Sequence, residues 1–260
     1  MRMVVVRSLI DTLSKISLEV WNEIVEREPE WLNMKEFLGK YGFGRFAVLM
    51  IATGLNDFQL KGKAEVAYWP KLRELLDKNE VPSSLNEMEH ILSEFYRRER
   101  FANLKLKRLN RFLSSKLAVE LWNAKPKDVA SNFLRIWHDL ATTMRQSREA
   151  KTIVFAMKCL GIALIMAGES NFRFEQIPIP VDYRVRIFTK RLGVNVETDD
   201  EVRRFWNNVL EVLRRDVPIN MIHLDSLIWQ IGTMSNKEII EYFGKFGLES
   251  VGKKIVEVLR

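Results

Sequence analysis

Two side chains in this sequence are of a type and in a setting that could break the bond between a base and its deoxyribose. Lys151 opens the run Lys151-Thr152-Ile153-Val154-Phe155. Asp182 closes Ile177-Pro178-Ile179-Pro180-Val181-Asp182, ahead of Tyr183-Arg184-Val185. A lysine amine attacks only when neutral, a state that neighbouring cations or desolvation favour. Arg148 and Lys158 are candidate cations, each within a turn or two on a helix. Lys151, Phe155 and Lys158 stand at i, i+4 and i+7, so a helix presents them on one face. A snorkelling surface lysine accounts for Lys151 equally well. Asp182, after its proline-rich approach, makes a good N-cap whose carboxylate accepts backbone N–H bonds. Capping keeps an acid ionised and aimed, which catalysis also requires.

Further clusters are compatible with a nucleic-acid substrate. Asp225 and Trp229, at i and i+4 in His223-Leu224-Asp225-Ser226-Leu227-Ile228-Trp229, set a carboxylate beside an indole. Such a pair could stack on a purine and accept from its Watson–Crick edge; a second capping aspartate beside a core tryptophan is the plainer reading. Between Arg97 and Lys116, eight basic residues oppose Glu99 alone, interleaved by Phe101 and Phe112. Phosphate contact and a solvated amphipathic helix explain that stretch equally.

The elements that must position these residues read as helices. Leu9, Leu13, Ile16 and Leu18 begin an amphipathic stretch that runs on through Val20, Ile24 and Val25. Leu104, Leu106, Leu109, Phe112 and Leu113 form an apolar face, as do Val202, Phe205, Trp206, Val209 and Val212. Start signals occur at Ser83-Ser84, Lys125-Pro126, Thr198 to Glu201 and Ser235 to Glu238. Gly42-Phe43-Gly44 marks a helix boundary, and Gly193 a helix stop before a loop. The run from Ala167 to Val181, with two prolines, is an extended connection between the helix of Lys151 and the helix that Asp182 opens. Val4 to Val6 is too short to read as a strand. The fold class is all-α.

Composition narrows the function classes. With 260 residues, 47% of them hydrophobic, the chain can bury a substantial core. The net charge of +7 favours polyanionic partners. The lone Cys159 excludes an internal disulfide framework, and His90, His138 and His223 are too scattered to hold a metal. The N-terminus is too short and charged for a signal peptide, and no apolar run is long enough to cross a bilayer. A soluble, cytoplasmic protein without membrane contact is expected, associated with the nucleoid.

Together these residues resemble the helix-hairpin-helix DNA glycosylase superfamily, and within it the archaeal GO glycosylases, the 8-oxoguanine DNA glycosylase/lyases of archaea. Lys151-Thr152 and Pro180-Val181-Asp182 match the superfamily's catalytic lysine and Val-Asp pair. The common Leu-Pro-Gly-Val-Gly hairpin is absent, with Met144-Arg145-Gln146-Ser147-Arg148-Glu149-Ala150 in its place, and the spacing from 151 to 182 is long for the superfamily. Both departures are similar to what sets the archaeal group apart, as are Pro-Ile-Pro-Val-Asp-Tyr-Arg-Val and His-Leu-Asp-x-Leu-x-Trp. The match is strongest from Arg148 to Trp229, with weaker support from Gly62 to Trp69.

The resemblance implies two helical lobes, residues 1–60 plus 183–260 and residues 61–182, with a helix-hairpin-helix motif and an active-site cleft between the lobes. It implies that Lys151 attacks C1′ of a flipped-out 8-oxoguanine nucleotide and forms a Schiff base, with Asp182 stabilising the sugar cation. Phe155 and Trp229 would sandwich the base. Trp69 and Asp225 would line its pocket. Glu30 stands where a related member places glutamine, so it could accept from the purine edge but not donate to O6 while ionised. Gln146, Ser147, Arg148 and Lys158 would meet the DNA backbone. No cofactor is implied. The partner is 8-oxoguanine-containing DNA, single- or double-stranded, bound by a monomer. The rivals are a glycosylase of the same fold for another oxidised base and a helical DNA-binding protein without catalysis.

Overall fold

The computed structural model describes residues 2–259, with side chains from residue 5 onward. In chain order its helices are α1 (Arg2–Leu13), α2 (Leu18–Glu26), α3 (Pro29–Tyr41), α4 (Phe43–Asn56), α5 (Ala64–Ala67) and α6 (Trp69–Asp77). They continue as α7 (Leu85–Tyr96), α8 (Ala102–Leu113), α9 (Lys116–Trp122), α10 (Pro126–Ser131), α11 (Phe133–Met144) and α12 (Lys151–Met166). After a 3-10 turn at Phe174–Gln176 come α13 (Tyr183–Arg191), α14 (Asp199–Leu213), α15 (Met221–Ile231), α16 (Asn236–Gly244) and α17 (Glu249–Val258). The described residues contain no strand, in keeping with the helical periodicity.

Local chemistry sets where these helices begin. Ser84 Oγ accepts from the Glu87 N–H at 3.2 Å and so opens α7. Thr198 and Ser235 each form a reciprocal box with the glutamate three residues on, Glu201 and Glu238. Pro126 lies at the start of α10, where a missing N–H leaves nothing unsatisfied. The stretch from Leu9 to Val25 is two helices rather than one, because Ser17 caps α2 by accepting from the Val20 N–H. Val4 to Val6 lies within α1.

The helices form two compact units. The central unit, Pro29–Phe174, is built around α4, which packs on α12, α8, α9 and α3. The terminal unit runs to Glu28 and resumes at Glu175; within it α2 and α13 pack on α15, and α1 and α16 on α17. Residues 29–60, expected with the terminal lobe, therefore belong to the central unit, and 175–182 to the terminal one. The physical reason is α4. It is buried from Phe46 to Asn56, and a helix apolar on every side must be enclosed by neighbours of its own unit.

Two close backbone approaches fix the helices that carry the candidate site. A Cβ at Gly54 would lie 2.8 Å from Cys159 Sγ and 2.9 Å from Ala156 Cα, so α4 and α12 touch there without a side chain between them. A Cβ at Gly232 would lie 2.7 Å from the Arg184 carbonyl oxygen, so the end of α15 abuts the first turn of α13. Gly54→Ala should therefore cost roughly 1–3 kcal/mol of stability through overpacking. Gly39→Ala meets nothing within 4 Å and should gain up to about 1 kcal/mol from helix propensity. Urea denaturation curves check the pair, and coincident midpoints for the two variants would contradict this account of the α4–α12 contact.

Candidate active site

In the central unit, Lys151 is the first residue of α12 and the one exposed residue of that helix. Ile153, Val154 and the run from Ala156 to Leu164 are buried, so the amine stands at the rim of an interior helix. A cation there faces the positive end of the helix dipole, its unfavourable place, at a cost of about 0.3–1 kcal/mol. Phe155, one turn on, is half-buried. Lys158, a further turn on, is buried with Nζ 6.0 Å from the Phe155 ring centroid. The shared face thus runs inward from solvent, and the phosphate contact expected of Lys158 is not open to a buried amine.

The connection from α11 to α12, residues 145–150, lacks glycine and is held by side chains instead. Arg145 adopts a left-handed conformation (φ 55°, ψ 47°), which costs about 1–2 kcal/mol outside glycine. It lets the Gln146 N–H reach back to the Ala141 carbonyl at 3.0 Å. Arg111 donates to the Met144 carbonyl at 3.3 Å, and the Trp137 indole N–H donates to the Arg148 carbonyl at 2.8 Å. The Arg148 guanidinium lies over the Trp137 ring at 5.1 Å.

Arg108 makes the densest contacts. Its Nε and Nη2 donate to the Leu55 carbonyl at 3.2 and 2.9 Å. Its Nη1 donates to Gln146 Oε1 at 2.9 Å, and Nη2 also donates to Thr152 Oγ1 at 2.9 Å. Thr152 Oγ1 donates in turn to Gln146 Oε1 at 3.3 Å. Burial pulls the guanidinium down to about 10, with the Arg111 charge adding to the effect, so it remains a cation at neutral pH. Gln146, expected at the DNA backbone, has its side-chain oxygen committed to this interior network. Ser147 and Arg148 are exposed.

The basic stretch is thus neither all phosphate-facing nor all solvated. Lys105 and Arg108 are buried while Leu104 is 47% exposed, so α8 turns two cations inward and an expected core leucine outward. Lys105 Nζ lies 3.8 Å from Glu99 and over the Phe58 and Tyr68 rings. The signal available in sequence was the register itself: Lys105 and Arg108 share the face of Leu109 and Phe112. Trp69 is fully buried, and its indole N–H donates to Asp57 at 3.0 Å, so its donor is already committed. Glu30 is buried in the first turn of α3.

In the terminal unit, Asp182 caps α13 as its setting predicts, with Oδ1 accepting from the Val185 N–H at 2.9 Å. Its approach is anchored by the buried residues 177–181. Asp225 is not a cap. Asn220 caps α15, and Asp225 is buried in the body of that helix, one turn before the half-buried Trp229. A buried carboxylate within a helix has no capping role to explain it. The Arg184 guanidinium, two residues past Asp182, lies over the Trp229 ring at 4.0 Å, so the start of α13 and the indole are brought together. Arg191 braces the far end of α13 by donating to the Met234 carbonyl at 2.7 Å. The partners of Arg184, Thr152 and Arg108 could not be read from the sequence, because cations and hydroxyls gain them only through tertiary packing. Among the described residues no group of three or more His, Cys, Asp or Glu side chains could hold a metal ion. No helix among them is long and apolar enough to cross a membrane.

An exposed lysine opening a buried helix can serve as a nucleophile, and a carboxylate fixed as a cap can stabilise positive charge. A family model described as AGOG, N-glycosylase/DNA lyase, matches residues 10–257. The chain belongs to that family. It is accordingly an enzyme of DNA base excision repair. The N-glycosylase/DNA lyase of Methanopyrus kandleri is 30% identical, over 79% of this chain and 80% of the relative. The one from Thermococcus kodakarensis is 28% identical, over 77% and 72%. The fold matches the 8-oxoguanosine-complexed crystal structure of the 8-oxoguanine DNA glycosylase from Pyrobaculum aerophilum, with a TM-score of 0.75. That match covers 98% of this chain and 97% of the other at 20% identity.

In this AGOG-family chain the helix of Asp225 and Trp229 rests on a neutral histidine. The Asn220 N–H donates to His223 Nδ1 at 3.2 Å and the ring's Nε2 faces Asn22 Oδ1 at 3.1 Å. Burial lowers His223 to about 4 from its ordinary 6.5. Between those values the unfolded chain binds the proton and the folded one does not, so stability rises with pH across that window and is lost as pH falls through it. At about 1.4 kcal/mol per unit the full contribution is on the order of 3 kcal/mol. Urea denaturation from pH 4 to 7.5 should show this slope in the wild type and lose most of it in His223→Gln. Equal slopes would contradict it.

Proposed function

We propose that this chain is a bifunctional glycosylase/lyase that excises 8-oxoguanine from DNA, single- or double-stranded, and then nicks the strand. The lesion nucleotide is extruded for chemistry. The Lys151 amine, once neutral, attacks C1′ as the bond to the base breaks. Opening of the sugar ring at C1′ leaves a Schiff base to Lys151, and loss of a C2′ proton then expels the 3′ phosphate by β-elimination. The ionised Asp182 stabilises the positive charge that develops on the sugar. Its N-cap bond supports that role, because it orients the carboxylate before substrate arrives.

Phe155 and Trp229 stack on the extruded purine, with Arg184 bracing the indole. Asp225 and Glu30 accept from the purine edge, and Trp69 lines the pocket with its ring. Ser147 and Arg148, exposed on the 145–150 connection, meet the phosphates, and that connection serves as the hairpin of a helix-hairpin-helix motif. The purine reading is favoured over an oxidised pyrimidine by Asp225, a buried carboxylate one turn from an aromatic ring. The observation that carries the proposal is the exposed Lys151 amine opening an otherwise interior helix.

Borohydride trapping on an oligonucleotide with a single 8-oxoguanine tests it. The wild type should give a covalent complex and Lys151→Gln none. Asp182→Asn should stay folded, since asparagine caps as well as aspartate, while excision falls by about a hundredfold or more. Trapping by Lys151→Gln at the wild-type level would overturn the nucleophile, and a wild type that traps only with an oxidised pyrimidine would overturn the lesion.

A further inference from the structure

Arg108 is a buried cation whose partners are all neutral: the Leu55 carbonyl, Gln146 Oε1, Thr152 Oγ1 and the face of Phe58 at 5.3 Å. These acceptors lie on three separate segments, namely the last turn of α4, the 145–150 connection and the first turn of α12. A planar guanidinium can address all three at once because its five donors point outward in a fixed fork, which a lysine ammonium cannot reproduce. Thr152 adjoins Lys151. We propose that Arg108 is the positioning residue of the nucleophile: through Thr152 and Gln146 it holds the first turn of α12, and hence the Lys151 amine, in the geometry for attack. This rests on the reading of Lys151 as nucleophile given above.

Stability of the surrounding helices does not need this link. Leu109, Phe112 and Leu113 provide the buried apolar face of α8, and the body of α12 is seated by the Gly54 contact with Ala156 and Cys159. What Arg108 adds is aimed at the connection and the first turn. A nucleophile displaced by about 1 Å can lose on the order of a hundredfold in rate while substrate binding persists. Loss of the fork should therefore appear in the rate of attack rather than in affinity.

The test measures single-turnover trapping at saturating 8-oxoguanine DNA, together with the Kd for that DNA and the Tm, for Arg108→Lys, Thr152→Val and Lys151→Gln. Thr152→Val keeps the shape of the side chain and removes only the hydroxyl. Arg108→Lys should trap about ten- to a hundredfold more slowly with Kd within about twofold of wild type. Thr152→Val should slow trapping several-fold with Tm and Kd unchanged. Wild-type trapping rates in both variants, or losses in rate matched by equal losses in affinity, would overturn the positioning role. If Arg108→Lys does not fold, Thr152→Val alone decides: a slowed rate at unchanged Kd supports the role and an unchanged rate overturns it. Lys151→Gln separates the two readings. Residual trapping there would fail the nucleophile itself, whereas its abolition beside wild-type rates in the other two would fail Arg108 alone.

Discussion

The inward-facing guanidinium of Arg108 is the constraint around which the central unit is arranged. A buried arginine is tolerated only where its donors meet acceptors. Its acceptors come from the end of α4, from the 145–150 connection and from the start of α12, so those three places have to converge. The rotation of α8 that allows this also buries Lys105 and leaves Leu104 at the surface. One side chain thereby couples the register of a helix to the ordering of a glycine-free connection. The left-handed strain at Arg145 is offset by the bonds that surround it, to the Met144 and Arg148 carbonyls and to the Gln146 side chain.

The terminal unit meets a parallel requirement with different means. Asp182 must be oriented at the start of a helix, and the buried, proline-containing run from Ile177 to Val181 delivers it there. Gly232 brings α15 against the Arg184 carbonyl, and Arg184 reaches over Trp229, so the start of α13 and the Asp225–Trp229 helix are one packed body. A neutral, buried His223 ties the same helix to Asn22. Each unit thus places its candidate groups on helix starts or helix faces, which packing holds more tightly than a free loop.

Features whose physics is local were legible in the sequence. The caps at Ser84, Thr198, Ser235 and Asp182 need only a few consecutive residues, and all four are present. So is the stop at Gly193, which has φ 69°. Non-local features were not legible. The break before Ser17 is hidden by apolar residues that keep helical spacing across it. The unit boundary near Pro29 depends on α4 being enclosed on every side. The burial of Lys158 and Lys105 and the bond from Arg108 to Gln146 depend on partners far along the chain. Asp225 was open to a capping reading until Asn220 proved to hold that place. Membership of the N-glycosylase/DNA lyase family was legible because the motifs around Lys151, Asp182 and Trp229 stand in the order that the resemblance expects, and order can be read without any knowledge of packing.

Everything in the proposed chemistry depends on which amine meets the sugar. Reducing the covalent complex with borohydride, digesting it and locating the sugar remnant by tandem mass spectrometry would identify that amine directly. The remnant should sit on the peptide containing Lys151. Its presence on Lys158, on Lys105 or on the chain's terminal amine would contradict the account, because the network from Arg108 through Thr152 would then be holding the wrong residue.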